Sequence, residues 1–239
     1  MIDLNKTYNW LTHFFCEPTT AITDYMLAVF CFWCFKSVFS LIKKTIITKS
    51  WGYFFLFIGG STFMGGLAHT TNCLPNPIIF KTSWLAMQLF SGASLFFAQR
   101  AIFNSEINSK KIKTILEKIA LLQLIIFSVS VFIFMDFRVV AFNSLIGLIQ
   151  LLVLSFPKKI YDWEYKFLLT SGFLISFLTI YVNRTKLSLA YWFNYNDISH
   201  FIMFASLFLI YKGITYKYNQ DSFFQKNNQK WPLFVYQKK

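Results

Sequence analysis

Only three histidines occur in 239 residues, and two of them stand in stretches whose spacing permits chemistry. His200 closes "NYNDISH", with Asp197 three residues before it and Asn196 four before. On a helix, positions three and four apart share a face. The first turn of a helix disfavours imidazolium, because the helix dipole is positive there. A neutral imidazole is what a metal ligand or a general base requires. His69 closes "GGSTFMGGLAH", in which Gly59, Thr62, Gly66 and His69 fall on one helical face. Asp24 lies in a third stretch, "TTAITDY".

Each residue also has a plainer reading, and at this level both stand. Asp24 and Asp197 in first helical turns are placed to cap backbone N–H groups. His69 near a helix C-terminus is placed to satisfy the last carbonyls. His200 reads equally as an interfacial histidine in contact with water. His13 belongs to the short amphipathic lead-in "NWLTHFF" and reads as interfacial.

The elements that position these residues follow from composition. The chain is 56% hydrophobic and 14% charged, against about 25% charged in soluble domains. Its apolar residues gather in blocks at 21–42, 52–70, 79–103, 115–135, 139–156, 165–183 and 197–214. About 20 apolar residues suffice to cross a bilayer as a helix. The blocks lack strand-like alternation, which argues against an outer-membrane barrel. The expected fold is therefore all-α: a polytopic membrane protein with a seven-transmembrane helix bundle over 21–214. Residues 1–20 form an interfacial lead-in without the features of a cleavable signal peptide. Residues 215–239 form a basic, aromatic tail suited to an anionic lipid leaflet.

Placement of charge predicts the orientation and removes nucleic acid as a partner. Eighteen of the 23 Lys and Arg residues follow the first, third, fifth and seventh blocks. The opposite side carries five basic residues against Asp3, Glu17, Asp24, Asp136 and Asp197. Basic residues near span ends mark the cytoplasmic face. The N-terminus is then outside, the C-terminus cytoplasmic, and the protein multi-pass in the cytoplasmic membrane. Cys31 and Cys34 fall mid-span and read as packing residues. Cys16 and Cys73 fall on one side, and spacing alone leaves open whether they pair.

Polar stripes climb toward the same outer end. The sixth span carries Gly172, Ser176, Thr179 and Asn183, and the fifth carries Asn143, Gly147 and Gln150. Intramembrane polar residues usually face the bundle interior or a wet cavity. An outward polar pocket is expected, lined by Asn196, Asn143, Gln150, Asn183 and Thr179, with the histidines and aspartates at its mouth. Several chemistries have no support: the last span lacks a deep lysine for retinal, and phosphate loops, HExxH and GxSxG are absent. No acid falls near the midplane, where an ion carrier would place one.

Taken together, "TTAITDY", "GGSTFMGGLAHT" and "NYNDISHFIMFASLFLIYKGI" resemble an uncharacterised group of bacterial seven-helix membrane proteins. More distantly the chain is similar to the superfamily of alkaline ceramidases and progestin/adiponectin receptors. That resemblance implies zinc, held by His69 and His200 with Asp24 or Asp197 as third ligand; Asp197 is the favoured one. It also implies a metal-activated water and an aspartate, Asp24 or Asp197, as general base. Asn196 replaces the first histidine of the superfamily's HxxxH pair, and Gly65 stands where its second helix has Ser. The function expected is a zinc-dependent hydrolase of lipid-like amides or esters. The alternative is a non-enzymatic heptahelical protein that binds or senses a lipid or small molecule. A third possibility is a structural bundle in which the polar stripes only glue helices.

Overall fold

The structure is a computed structural model that describes residues 7, 9, 11–12, 15–41, 45–157 and 163–228, the last nine by backbone alone. The interfacial reading of His13 and residues 229–239 of the basic tail lie outside the described residues, as do Lys43, Lys44, Lys158 and Lys159.

Seven α-helices make up the fold among the described residues: α1 Pro18–Phe39, α2 Ile46–Thr71, α3 Ile78–Glu106, α4 Lys110–Phe134, α5 Phe137–Ser155, α6 Trp163–Thr185 and α7 Tyr195–Asn228. Five of them, α1, α4, α5, α6 and α7, are long and apolar enough to cross a membrane. The other two are 26 and 29 residues long. They interleave Gly, Ser, Thr and Gln with the apolar residues, because they pack on protein over much of their surface.

Local chemistry sets the helix ends. Pro18 occupies the first turn of α1, where a missing N–H costs nothing. The hydroxyl of Thr45 accepts from the Thr48 N–H to start α2, and the hydroxyl of Ser109 accepts from the Ile112 N–H to start α4. α4 stops at Met135 in the left-handed region (φ 46°), and Asp136 immediately caps α5 through the Arg138 N–H at 2.8 Å. At α7, Asn194 Oδ1 accepts from the Asn196 N–H and Asp197 Oδ2 accepts from the Asn194 N–H, both at 2.7 Å. This is a reciprocal capping box.

Six helices close a ring in the order α1, α2, α3, α5, α6, α7 and back to α1. α4 docks outside it on α3 and α5. Its exposed Ile115, Ile119, Leu122, Ile126 and Ile133 suit contact with lipid. One core joins Leu27, Phe55, Leu95, Leu151, Phe173 and Ile210 across all six ring helices. α6 and α7 approach most closely at two glycines: a Cβ at Gly172 would lie 2.9 Å from Ser206 O, and one at Gly213 2.9 Å from Tyr165 O. Small residues permit such approach where lipid supplies no hydrophobic drive.

The ring has two chemically distinct ends. At one, the start of α1, the end of α2 and the start of α7 bring the histidines together. At the other, Lys166 of α6 donates to Glu106 of α3 at 2.6 Å, both largely buried.

Candidate functional site

The histidine end is assembled from the segment before α1 upward. A disulfide joins Cys16 to Cys73 of the α2–α3 loop, with Cα atoms 5.5 Å apart. It fixes residue 17 beside the end of α2, where the Glu17 N–H donates to His69 O at 3.0 Å. The Glu17 side chain then accepts from His69 Nδ1 at 2.7 Å and from the Asn72 amide. The His69 hydrogen bond holds the Glu17 carboxyl below the usual carboxylate range, against the upward push of partial burial.

His69 sits on the small-residue face of α2, as the spacing predicts. Gly59 lies against Cys31 and Phe32 of α1, and Gly66 against the Tyr25 ring. Gly65 leaves room for an acid: a Cβ there would lie 2.9 Å from Asp24 Oδ2. Asp24 is thus enclosed between α1 and α2, with 5% of its side chain exposed.

Its partner comes from α7. His200 Nε2 lies 3.3 Å from Asp24 Oδ1, and Nδ1 lies 2.8 Å from the Thr23 hydroxyl. That hydroxyl also lies 3.0 Å from the carbonyls of Thr19 and Thr20. The Thr23 hydroxyl thus occupies the Nδ1 side of the His200 ring. Nε2 therefore faces the carboxylate, and the Asp24–His200 contact holds one proton between an acid and a base. His69 and His200 lie within electrostatic reach of each other, as do Asp24 and Asp197. The two acid–imidazole pairs, one half-buried and one deep, thus form a single cluster with Asp197. Such a cluster can exchange protons or balance a positive charge.

Asp197 serves the capping role, one of its two sequence readings, through Oδ2. Its other oxygen, Oδ1, is buried without a hydrogen-bond partner. The α6–α7 loop closes over the start of α1, where the Thr19 hydroxyl donates to Trp192 O at 2.6 Å.

The sequence expectation of a metal site meets a different geometry. His69, His200 and Asp197 share one end, yet no group of three or more His, Cys, Asp or Glu side chains converges for a metal among the described residues. Both ring nitrogens of His200 face protein atoms. Two histidines and a carboxylate are donors of the kind that zinc takes, and what differs is that they do not converge on one point.

Of the five residues expected to line an outward pocket, two bond helix to helix. The Gln99 amide on α3 donates to Gln150 at 2.7 Å and Gln123 at 3.1 Å, and Gln123 donates to Asn143 Oδ1 at 2.9 Å. Asn143 and Gln150 therefore belong to an amide network that ties α4 to α3 and α5. Thr179 donates to Ser176 O within α6, and Ser176 meets Ser206 of α7 at 2.7 Å. Asn183 and Asn196 are half-buried. Two small clefts lie away from the histidines, one between α1 and α2 at Val38 and Thr48, the other at Trp51, Tyr165 and Gly213.

Sequence reading did not single out Glu17, Thr23 or Thr20. The threonine-rich turn "TTAIT" was the available signal, since hydroxyls at this spacing line one face of a helix start. Glu17 gave no signal without the disulfide that seats it.

Fold and site together define a multi-pass helical membrane protein with a buried acid–imidazole cluster at one end. The chain belongs to a family of unknown function, DUF6962, which matches residues 19–218 and so takes in five of the seven helices entire, α1 but for Pro18, and most of α7. No curated protein and no solved structure matches it.

Proposed function

We propose that the protein is a non-enzymatic heptahelical binding or sensing protein whose ligand-responsive site is the cluster of Glu17, His69, Asp24, His200 and Asp197. The observation that carries this reading is the enclosed Asp24–His200 contact, braced by Gly65 and Thr23. Ionisable groups inside a membrane bundle are costly, and helix packing alone does not require them.

The histidine end faces the outside, and the basic end faces the cytoplasm. Support comes from the eighteen basic residues on one side and from the Cys16–Cys73 disulfide, which suits an oxidising compartment.

The hydrolase reading requires three converging ligands and a free nitrogen on His200, whose two ring nitrogens face Thr23 and Asp24. One experiment separates the two. The detergent-purified chain is unfolded by heat with ethanolamine, oleate or an N-acyl amide lipid present, and its zinc content is measured. A shift in unfolding temperature caused by one probe and lost in His200→Gln supports the binding reading. Stoichiometric zinc with hydrolysis of the amide lipid would replace it with the enzyme.

A further inference from the structure

The basic end of the ring carries a second site. We infer that the cleft between the α2–α3 and α6–α7 pairs binds a phosphate group, the oxyanion that an anionic phospholipid or a soluble phosphate presents. This site is separate from the histidine cluster and does not rest on its reading.

Ile47 and Trp51 of α2 and Ser105 of α3 form one wall of the cleft, and Tyr165 of α6 with Lys217 and Tyr218 of α7 forms the other. Its floor is core: Trp51, Ile102, Leu169 and Ile214 are at most 5% exposed. Tyr165 positions the charge. The Lys217 ammonium donates to the Tyr165 hydroxyl oxygen at 3.4 Å and stands 4.5 Å from the ring centre. A hydroxyl that accepts from an ammonium turns its own proton away from it, so a cation and an O–H stand side by side. Above an apolar floor, both interact more strongly with an anion than they would in water.

The helix ends set the sign of the field. α2 begins at Ile46 and α6 at Trp163, so the first turns of two helices border the cleft through Ile47 and Tyr165. Helix starts carry positive partial charge and favour anions. The Ile47 N–H lies in that first turn, ahead of the Thr48 N–H that the Thr45 hydroxyl accepts from. α3 ends at the same level, but its last carbonyls are engaged. Ile102 O accepts from the Ser105 hydroxyl, Phe103 O from the Ile107 N–H and Asn104 O from Lys113. The Glu106 carboxylate, next to Ser105, is matched by Lys166 at 2.6 Å.

These donors select the anion. They come from three helices, as an ammonium, a phenol and a helix-start N–H. A tetrahedral oxyanion can meet three directions, whereas a planar carboxylate offers two oxygens. The cleft is small, so it takes the phosphate and leaves the rest of a larger ligand outside. Basic pockets between membrane helices hold lipid headgroups in this way.

The test is thermal unfolding of the full chain in a neutral detergent. One arm exchanges chloride for inorganic phosphate at constant ionic strength, and the other adds phosphatidylglycerol or, as the phosphate-lacking comparison, monoolein. The expected result is a saturable rise in unfolding temperature with phosphatidylglycerol or with inorganic phosphate, and none with monoolein. The arm that responds identifies the source of the group. Lys217→Gln should raise the half-saturating concentration about tenfold, and Tyr165→Phe should raise it by a smaller factor. Lys212→Gln, exposed on the same helix and outside the cleft, should leave it unchanged. Curves that neither phosphate probe moves overturn the inference. Equal losses in Lys217→Gln and Lys212→Gln do so too, because they show diffuse surface charge. If Lys217→Gln does not fold, Tyr165→Phe carries the test, and an undiminished response there overturns the site.

Discussion

The Glu17 carboxylate meets the His69 imidazole at 2.7 Å across 52 residues of sequence. The contact closes the segment before α1 onto the end of α2, and its strength depends on Glu17 being ionised. Its depressed pKa means that the folded state favours the carboxylate. The stabilisation is therefore complete above the ordinary carboxylate pKa and is lost as pH falls through the lower, folded value. Unfolding temperature measured against pH should show wild type above Glu17→Gln at neutral pH. The two curves should converge in acid. Parallel curves throughout would show that the pair contributes nothing pH-dependent.

The disulfide seats that pair. Cys73→Ser should cost roughly 2–4 kcal/mol, the usual range for a native crosslink closing a loop of this size. It should also remove the pH dependence assigned to Glu17, since residue 17 is no longer held beside His69. Denaturation of wild type with and without reductant checks both effects, and reductant should leave the serine variant unchanged.

Gly65 makes room for Asp24. Gly65→Ala brings a methyl group to 2.9 Å from the carboxylate, so Asp24 must move off His200. The expected loss is about 1–3 kcal/mol, the usual cost of overpacking. The Asp24→Asn, Gly65→Ala double variant should recover little, because the clash is steric. Chemical denaturation of the three variants is the measurement.

The amide network fastens α4 to the ring. Gln123→Leu removes the link from α4 to Gln99 and Asn143, at a cost on the order of 1 kcal/mol. The effect should be local. Hydrogen exchange should quicken in α4 while α1, α2 and α7 keep their protection. Uniform quickening would contradict a peripheral α4.

The fold was largely legible before the structure, and the reason is physical. Lipid demands apolar blocks of fixed length, so block boundaries approximate helix boundaries: 79–103 became Ile78–Glu106, and 139–156 became Phe137–Ser155. The small-residue face of α2 was legible because glycines at helical spacing mark close packing. Partner choice was not legible. Gln150 and Asn143 read as pocket residues, yet their partners Gln99 and Gln123 sit on other helices, and a stripe looks alike whether it faces a cavity or a neighbour. The ring order, with α4 outside it, is likewise a property of interhelical packing that no single helix encodes. Asp197 illustrates both outcomes: its capping role followed from its place in a first turn, while its unpartnered oxygen depends on what α1 places opposite.

The central claim is that the Asp24–His200 contact is kept for a ligand and not for stability. Asp24→Asn, unfolded beside wild type in detergent at neutral pH without added ligand, tests it most directly. A functional acid held among other acids should give a variant at least as stable as wild type, because strained sites trade stability for function. A loss of about 3–5 kcal/mol, typical of breaking a buried structural ion pair, would contradict the account and leave the cluster as glue between helices.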